Sequence, residues 1–473
     1  MALAGETHDP VLERAFTRIT GGDVRGGNAV RLLKDADENY PAWLEAIEKA
    51  RTCILFENYI VDEDRTGRRF ADALAERASQ GVRVYFLYDW FGCFGRASTS
   101  FWAELVQAGV EVRTFNRFSA EAPLAWIRRN HRKVLAIDGS VAFVSGLCVS
   151  DRWLGDPVHG VEPWHDTGVE LRGPVVADVV RAFAETWALT GAALPDAELP
   201  SHKDPADEVG SVTARIVAGR PGEMSAYRLD QFVAAAARRS LWLTDAYFVA
   251  TTAYVRGLTD ASRDGVDVRL LVPRSSDIRA LKPLTRAGYR PLIEAGVRVF
   301  EWGGSMLHAK TAVADGAWVR IGSTNLNVAS WLTNWELDVL ITDAGFAQQM
   351  EEMYLADIAH ATEVVLDPAR AALGDRAPQT PYTGPHRGSA SRIAAGAVGL
   401  GNAAGAAMAG ARPLAPAEAR AVATIGGVLL GAAAFVALLP WLLAAPFVLG
   451  VGGIGFALLL RAWKLQPRDG SGR

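Results

Sequence analysis

The chain has 473 residues, half of them hydrophobic, which is enough for two or three domains with buried cores. Lys and Arg total 49 against 53 Asp and Glu, a net charge of −4 that excludes broad electrostatic binding of nucleic acid. Three scattered cysteines, Cys53, Cys93 and Cys148, exclude a disulfide framework or a CxxC zinc site and point to a reducing compartment.

Residues 1–27 read as an N-terminal extension, with no basic region leading into an apolar stretch and hence no secretory signal. From there to residue 365 the chain contains an approximate duplication, placed at 28–200 and 211–365. Trp43, Ile47 and Ala50 fall at helical spacing before the strand-like run Ile54-Leu-Phe-Glu-Asn-Tyr-Ile-Val. Leu229, Phe232, Val233 and Ala236 do the same before Leu241-Trp-Leu-Thr-Asp-Ala-Tyr-Phe-Val. An acidic residue two before a tyrosine recurs, as Glu57/Tyr59 and Asp245/Tyr247. A further helix and two Val-rich strands follow in each copy, including Ala108-Gly-Val-Glu-Val and Ala295-Gly-Val-Arg-Val. Alternating helices and short Val-rich strands predict two similar α/β halves with buried sheets, packed against each other.

The most specific feature is His-x-Lys-x4-Asp, present twice: His131, Lys133 and Asp138, then His308, Lys310 and Asp315. A Gly/Ser pair follows each, Ser145-Gly146 and Gly322-Ser323. His and Lys two apart in a strand share a face, so imidazole and ammonium converge. Small residues at the end of the partner strand allow close approach of a substrate. The chain has only eight histidines, so two copies at equivalent repeat positions carry weight.

This pattern resembles the phospholipase D superfamily over about residues 28–365, and within it the bacterial cardiolipin synthases. The subgroup likeness lies in Gly27-Asn-Ala-Val-Arg-Leu-Leu, the Glu57-Asn-Tyr-Ile strand, Met306-Leu-His-Ala-Lys-Thr, Gly322-Ser-Thr-Asn325-Leu-Asn, Trp164-His-Asp166 and Asn334-Trp-Glu336. The resemblance implies a fold of two halves related by a pseudo-twofold axis. It also implies His131 as nucleophile, His308 as acid/base, and carboxylates crossing between halves, Asp166 to His308 and Glu336 to His131. Ser145, Gly146, Ser323 and Asn325 are expected at the phosphate, with Cys148 standing where related enzymes usually have a second Asn.

The chemistry is coherent from the side chains themselves. A neutral imidazole can attack phosphorus, and a second, protonated one can donate to the departing oxygen. Lys133 and Lys310 would stabilise the non-bridging oxygens. Asp138 and Asp315, although part of the motif, are expected mainly to hold its loop and lysine. No metal or other cofactor is expected. The leading expectation is a phosphatidyltransferase working on anionic phospholipids, with phosphatidylglycerol as donor and acceptor. A phospholipase D hydrolase, a nuclease of the same superfamily and a non-catalytic scaffold are the alternatives.

The aromatic stretch Trp90 to Trp102 reads as lipid-facing or as packed between helix and sheet, and Arg128, Arg129 and Arg132 beside the first motif as attracting anionic headgroups or as a solvated basic loop. Residues 366–392 read as a polar linker. In the 393–464 region, Ala421 to Leu460 carries no charge over forty residues, about twice the ~20 that one membrane helix needs. Pro440 and Pro446 mark a turn between helices at about 421–439 and 446–463. Arg412 and Arg420 before the pair, and Arg461, Lys464 and Arg468 after it, predict both ends on the cytoplasmic side of a bacterial inner membrane. A buried helical pair is the alternative there.

Overall fold

A computed structural model describes residues 10–117, 128–200, 207–278 and 281–366. The expected linker and membrane hairpin lie outside these. Among the described residues no helix is long and apolar enough to cross a membrane.

The first half contributes strands β1 (Arg25–Lys34), β2 (Cys53–Asn58), β3 (Arg83–Asp89), β4 (Glu111–Phe115), β5 (Val134–Ile137), β6 (Val141–Ser145), β7 (Trp164–His165) and β8 (Thr167–Arg172). The second contributes β9 (Val212–Gly219), β10 (Ser240–Thr244), β11 (Asp267–Pro273), β12 (Arg298–Trp302), β13 (Met306–Leu307), β14 (Thr311–Ala314), β15 (Trp318–Gly322), β16 (Glu336–Thr342) and β17 (Ala361–Glu363). Fifteen of these form one sheet, in the order β17-β12-β11-β10-β14-β15-β16-β9-β1-β8-β6-β5-β2-β3-β4. Read outward from the central β9–β1 pair, the two sides match strand for strand, and only β17 lacks a counterpart. The duplication in the sequence is therefore a duplication of topology.

The strands are fully buried where the sequence runs apolar: β2, β5, β6, β14 and β15 expose no residue. Such runs need cover on both faces, and helices supply it. In the first half Trp43, Phe70 and Leu74 of the helices Asp35–Lys49 and Arg65–Ser79 cover one face, packing on Phe56 and Phe143. Leu229, Leu258 and Leu292 cover the equivalent face of the second half. A third core, built on the helices Val176–Ala188 and Ala344–Ala359, draws strand residues from both halves, among them Leu55, Val169, Val319 and Val339. The halves are thus joined by a continuous apolar layer as well as by backbone pairing. The described part of the N-terminal segment packs on the second half. Its helix Pro10–Thr20 seats Phe16 against Phe232 (ring centroids 5.2 Å apart) and Trp318 (6.3 Å), and β1 already begins at Arg25.

The two motif aspartates belong to this architecture rather than to the chemistry. Asp138 and Asp315 have positive φ, 52° and 54°, and each precedes a positive-φ glycine, Gly139 or Gly316, in the reversal from β5 to β6 or β14 to β15. The Asp138 carboxylate accepts from the amides of Arg51 (2.8 Å), Thr52 (2.8 Å) and Cys53 (2.9 Å). Asp315 accepts from Arg238 (3.1 Å), Arg239 (2.7 Å) and Ser240 (3.0 Å). Each ties the hairpin to the turn that launches β2 or β10. At ~3.3 Å per residue, Asp138 stands about 16 Å along the strand from Lys133. It holds the hairpin and its neighbouring turn, and the expectation that it also holds the motif lysine is corrected accordingly. Asp315→Ala should lower the unfolding free energy by about 3 kcal/mol, through stranded amides and a strained left-handed Ala. Urea denaturation should show that loss, and turnover per folded molecule should be unchanged.

Candidate active site

His131 and Lys133 lie in an extended segment at the entry to β5, and His308 and Lys310 in the equivalent segment before β14. The motif pairs therefore precede the strands rather than lying within them. Each segment is held by the other half's backbone. His131 N donates to Trp335 O (2.8 Å), and His308 N donates to His165 O (2.7 Å).

The side chains cross in the same way. His131 Nδ1 lies 2.9 Å from Glu336 Oε2, and His308 Nδ1 lies 2.7 Å from Asp166 Oδ2. Both pairs are buried. A carboxylate can only accept, so Nδ1 of each ring carries hydrogen and Nε2 is the nitrogen left for chemistry. The crossing brings together His131, Lys133 and Glu336, and likewise His308, Lys310 and Asp166, in the pairing expected from the sequence.

Burial, followed by Lys310, pushes His308 down to about 3, against the pull of Asp166. Burial likewise pushes His131 down to about 4, with Glu336 opposing and both Lys133 and Lys310 adding to the fall. Each imidazole thus feels the lysine of the other half, which places the four groups in one electrostatic cluster. Burial works to raise the two carboxyls, but the opposing groups win. His308 and Lys310 bring Asp166 to about 2, and His131 lowers Glu336. Burial also lowers Lys133, and brings Lys310 to about 8. Both ammonium groups donate to the carbonyl of their own motif histidine, and Lys310 Nζ lies 2.9 Å from His308 Nδ1.

The two sides are built differently behind this pattern. Asp166 accepts from Trp153 Nε1 (2.8 Å) and the Thr167 amide (2.9 Å). It is also pressed on Gly146, where a Cβ would come within 2.1 Å of Oδ1. Glu336, one methylene longer, accepts from Ser323 Oγ (2.5 Å) and Asn334 Nδ2 (3.0 Å). Ser323 therefore supports Glu336 instead of being free for phosphate, and the Ser145 hydroxyl accepts from Leu147 N (3.2 Å). Asn325 is buried, and its Oδ1 has no hydrogen-bond partner among the described residues. Cys148, its counterpart, is also buried.

Aromatic rings complete the walls. Tyr59 meets His131 edge-on (centroids 4.8 Å) and Tyr247 meets His308 (5.8 Å). Trp153 and Trp164 lie 5.3 and 5.6 Å from His308. The recurrence of an acid two before a tyrosine had marked Tyr59 and Tyr247 without giving them a role. The acids themselves are structural: Asp245 accepts from Tyr247 N (2.9 Å), and Glu57 from Asn130 Nδ2 (2.5 Å). Nothing in the sequence pattern marked Trp153.

One expectation changes, and one pair of alternatives is decided. Arg129 and Arg132 are buried rather than offered to headgroups. Arg129 lies over Phe91 (4.0 Å), and Arg132 donates to the carbonyls of Glu336 (3.1 Å) and Ala182 (2.7 Å). The aromatic stretch is mostly packing, with Phe101 buried and Trp102 stacked on Tyr88 at 3.9 Å, while Phe94 remains 67% exposed.

A family model described as "Cardiolipin synthase, PLD-like domain" matches residues 43–183 and 233–358, the two segments that carry the duplicated motifs. The chain belongs to this phospholipase D-like family. Among curated relatives, Cardiolipin synthase A of Pseudomonas aeruginosa (strain LESB58) is 36% identical over 351 residues, covering 74% of this chain and 71% of that one. Cardiolipin synthase A of Pseudomonas fluorescens (strain SBW25) is 35% identical over 366 residues, 76% and 74% of the two chains. The crystal structure of phosphatidylserine synthase from Haemophilus influenzae Rd KW20 superposes with a TM-score of 0.59 at 15% identity, over 74% of this chain and 91% of that one, a likeness of fold. The protein is an enzyme, a phospholipase D-type phosphatidyltransferase.

Proposed function

We propose that this phosphatidyltransferase makes cardiolipin, moving a phosphatidyl group from one phosphatidylglycerol to the glycerol hydroxyl of a second and releasing glycerol. The observation that carries the chemistry is the crossed arrangement, in which each motif histidine is oriented by a carboxylate from the opposite half. The relatives named cardiolipin synthase A support cardiolipin as the product.

In the first step His131 Nε2 donates its lone pair to phosphorus as the bond to glycerol oxygen breaks. A proton on His308 Nε2 passes to that oxygen, which leaves as glycerol. In the second step His308 takes the proton of the incoming hydroxyl, whose oxygen displaces His131. Lys133 and Lys310 face the charge on the non-bridging oxygens. His308 is held neutral by burial and Lys310, so an anionic phosphodiester supplies what its proton needs, since negative charge nearby favours the imidazolium. Glu336 and Asp166 keep Nε2 of each ring directed at the reaction. We extend the reading to a bacterial inner-membrane enzyme, anchored through residues 393–464 with its catalytic halves cytoplasmic; the uncharged run from Ala421 to Leu460 supports this.

Incubating the full chain with phosphatidylglycerol labelled in its phosphatidyl group, in detergent or vesicles, tests the proposal. Labelled cardiolipin with one glycerol per product is the expected result. Phosphatidic acid as the main product would make the enzyme a hydrolase. Cleavage of oligonucleotides alone would remove the lipid assignment.

A further inference from the structure

His165 lies between Trp164 and Asp166, both of which touch His308, yet its own ring faces away from the chemistry. Its Nδ1 is 2.7 Å from Asp35 Oδ1, at the start of the helix Asp35–Lys49 in the first half. Its Nε2 is 3.1 Å from Asp357 Oδ2, on the helix Ala344–Ala359 of the second half, an ion-pair contact without hydrogen-bond alignment. The ring stacks on Trp302 of β12, centroids 4.9 Å apart and planes 19° from parallel. Asp35 is fixed to the neighbouring residue as well. Its Oδ1 accepts from Asp166 N (2.8 Å), and its own amide donates to Asp166 O (2.9 Å).

The main chain of His165 is also part of the joint. β7 pairs with β13 through only two positions, Trp164 with Met306 and Leu307 with His165, and His308 N extends that ladder to His165 O. A two-residue ribbon has little stability of its own. Both catalytic partners, Asp166 and His308, hang on its end. Trp335 occupies the equivalent place before Glu336, also accepting a histidine amide, but its ring packs on Arg132 (5.2 Å) and Phe115 (6.3 Å). The two halves therefore anchor equivalent ribbons by different means.

We propose that His165 is a positioning residue, clamped between Asp35 of one half and Asp357 of the other, which fixes the Asp166–His308 pair at its working separation. Burial opposes a charge on this ring, but the two carboxylates outweigh it and raise the imidazole to about 10. The imidazole is thus charged throughout neutral pH and loses that charge as pH rises through about 10. Asp35 and Asp357 are the charged groups at its two nitrogens, with Asp166 joined to it through the backbone. The inference rests on the proposed two-histidine chemistry, so its test needs a readout that does not depend on turnover.

That readout is the titration of the His308 ring, followed by NMR of the full chain labelled with 15N-histidine in micelles, the resonance being assigned by its absence in His308→Asn. His165→Phe keeps an aromatic ring on Trp302 and removes both ion pairs, and Asp357→Asn removes only the distant one. Both are expected to shift the His308 titration and to lower kcat, His165→Phe by about 100-fold and Asp357→Asn by about 10-fold, as misplacement of reacting groups does. KM should stay within about threefold of the original, since the substrate contacts are untouched. Unchanged His308 titration with unchanged kcat per folded molecule, in Asp357→Asn or in a folded His165→Phe, would reduce His165 to a stabilising residue and overturn the proposal. If His165→Phe does not fold, Asp357→Asn decides alone. Should the original chain transfer no phosphatidyl group, the functional proposal falls while the NMR comparison still decides the clamp.

Discussion

Replacing either motif histidine with Asn should lower phosphatidyl transfer on the order of 10⁴-fold or more, with the protein still folded. Asn places an amide N–H near the position of Nδ1, so Glu336 or Asp166 keeps a donor where each now lies 2.9 or 2.7 Å from an imidazole nitrogen. What disappears is Nε2, the atom that either bonds phosphorus or moves the proton. The two variants should differ once the leaving group is changed. A phosphatidyl ester of p-nitrophenol needs no proton on departure, so His308→Asn should regain much of its rate of p-nitrophenol release. His131→Asn should not, because it lacks the nucleophile, and it should trap no labelled phosphatidyl group on acid-free quenching. Residual transfer within tenfold of the original in either variant would contradict a two-histidine mechanism. Rescue of His131→Asn in place of His308→Asn would exchange the two roles.

How far the sequence leads depends on whether a feature is local or assembled. The duplicated topology was legible because each strand repeats a short apolar pattern, and the fully buried β2 and the β10 strand with its buried Leu241 and Leu243 show that pattern directly. The crossed carboxylates were legible from the family resemblance, since Asp166 and Glu336 stand at equivalent positions of the repeat. Spacing alone says nothing of a contact between residues 142 positions apart, such as His308 and Asp166. Asp138 and Asp315 were read as structural, but the motif fixes their spacing as rigidly as that of His and Lys, and spacing alone does not show that the constraint behind it is a left-handed turn tied to neighbouring amides. Arg132 misled for the opposite reason. Three arginines in five positions read as a basic surface, yet Arg132 points inward to satisfy carbonyl groups from elements that meet only in the folded chain. His165 carried no signal beyond its place in Trp-His-Asp, because its partners Asp35 and Asp357 come from different halves of the duplication.

The two orienting carboxylates should not be equally sensitive to neutralisation. Asp166→Asn is expected to cost about 10³- to 10⁴-fold in kcat, as when an aspartate that fixes a catalytic imidazole becomes an amide. Oδ2 of Asp166 meets two groups, His308 Nδ1 at 2.7 Å and Trp153 Nε1 at 2.8 Å, while Oδ1 takes the Thr167 amide at 2.9 Å. Wherever the amide nitrogen of Asn is placed, it faces a donor that cannot turn around. Relief comes only if His308 adopts the other tautomer, which puts the hydrogen on the wrong nitrogen, or if the side chain moves off Gly146, against which it is already packed. Glu336→Gln has an escape. Its Oε1 is met by Asn334 Nδ2 at 3.0 Å, and an amide flip of Asn334 presents an oxygen to the new N–H. The remaining Gln oxygen still accepts from Ser323 Oγ and from His131 Nδ1, so ring and tautomer are kept and only the charge is lost. A cost of about 10- to 100-fold follows for Glu336→Gln, from weaker support of the imidazole while it carries phosphorus. Steady-state kinetics of the two variants, with KM followed alongside, should therefore show Asp166→Asn the slower by at least about tenfold. Equal losses would mean that the charge alone matters, and that the rigid surroundings of Asp166 do not set the tautomer of His308.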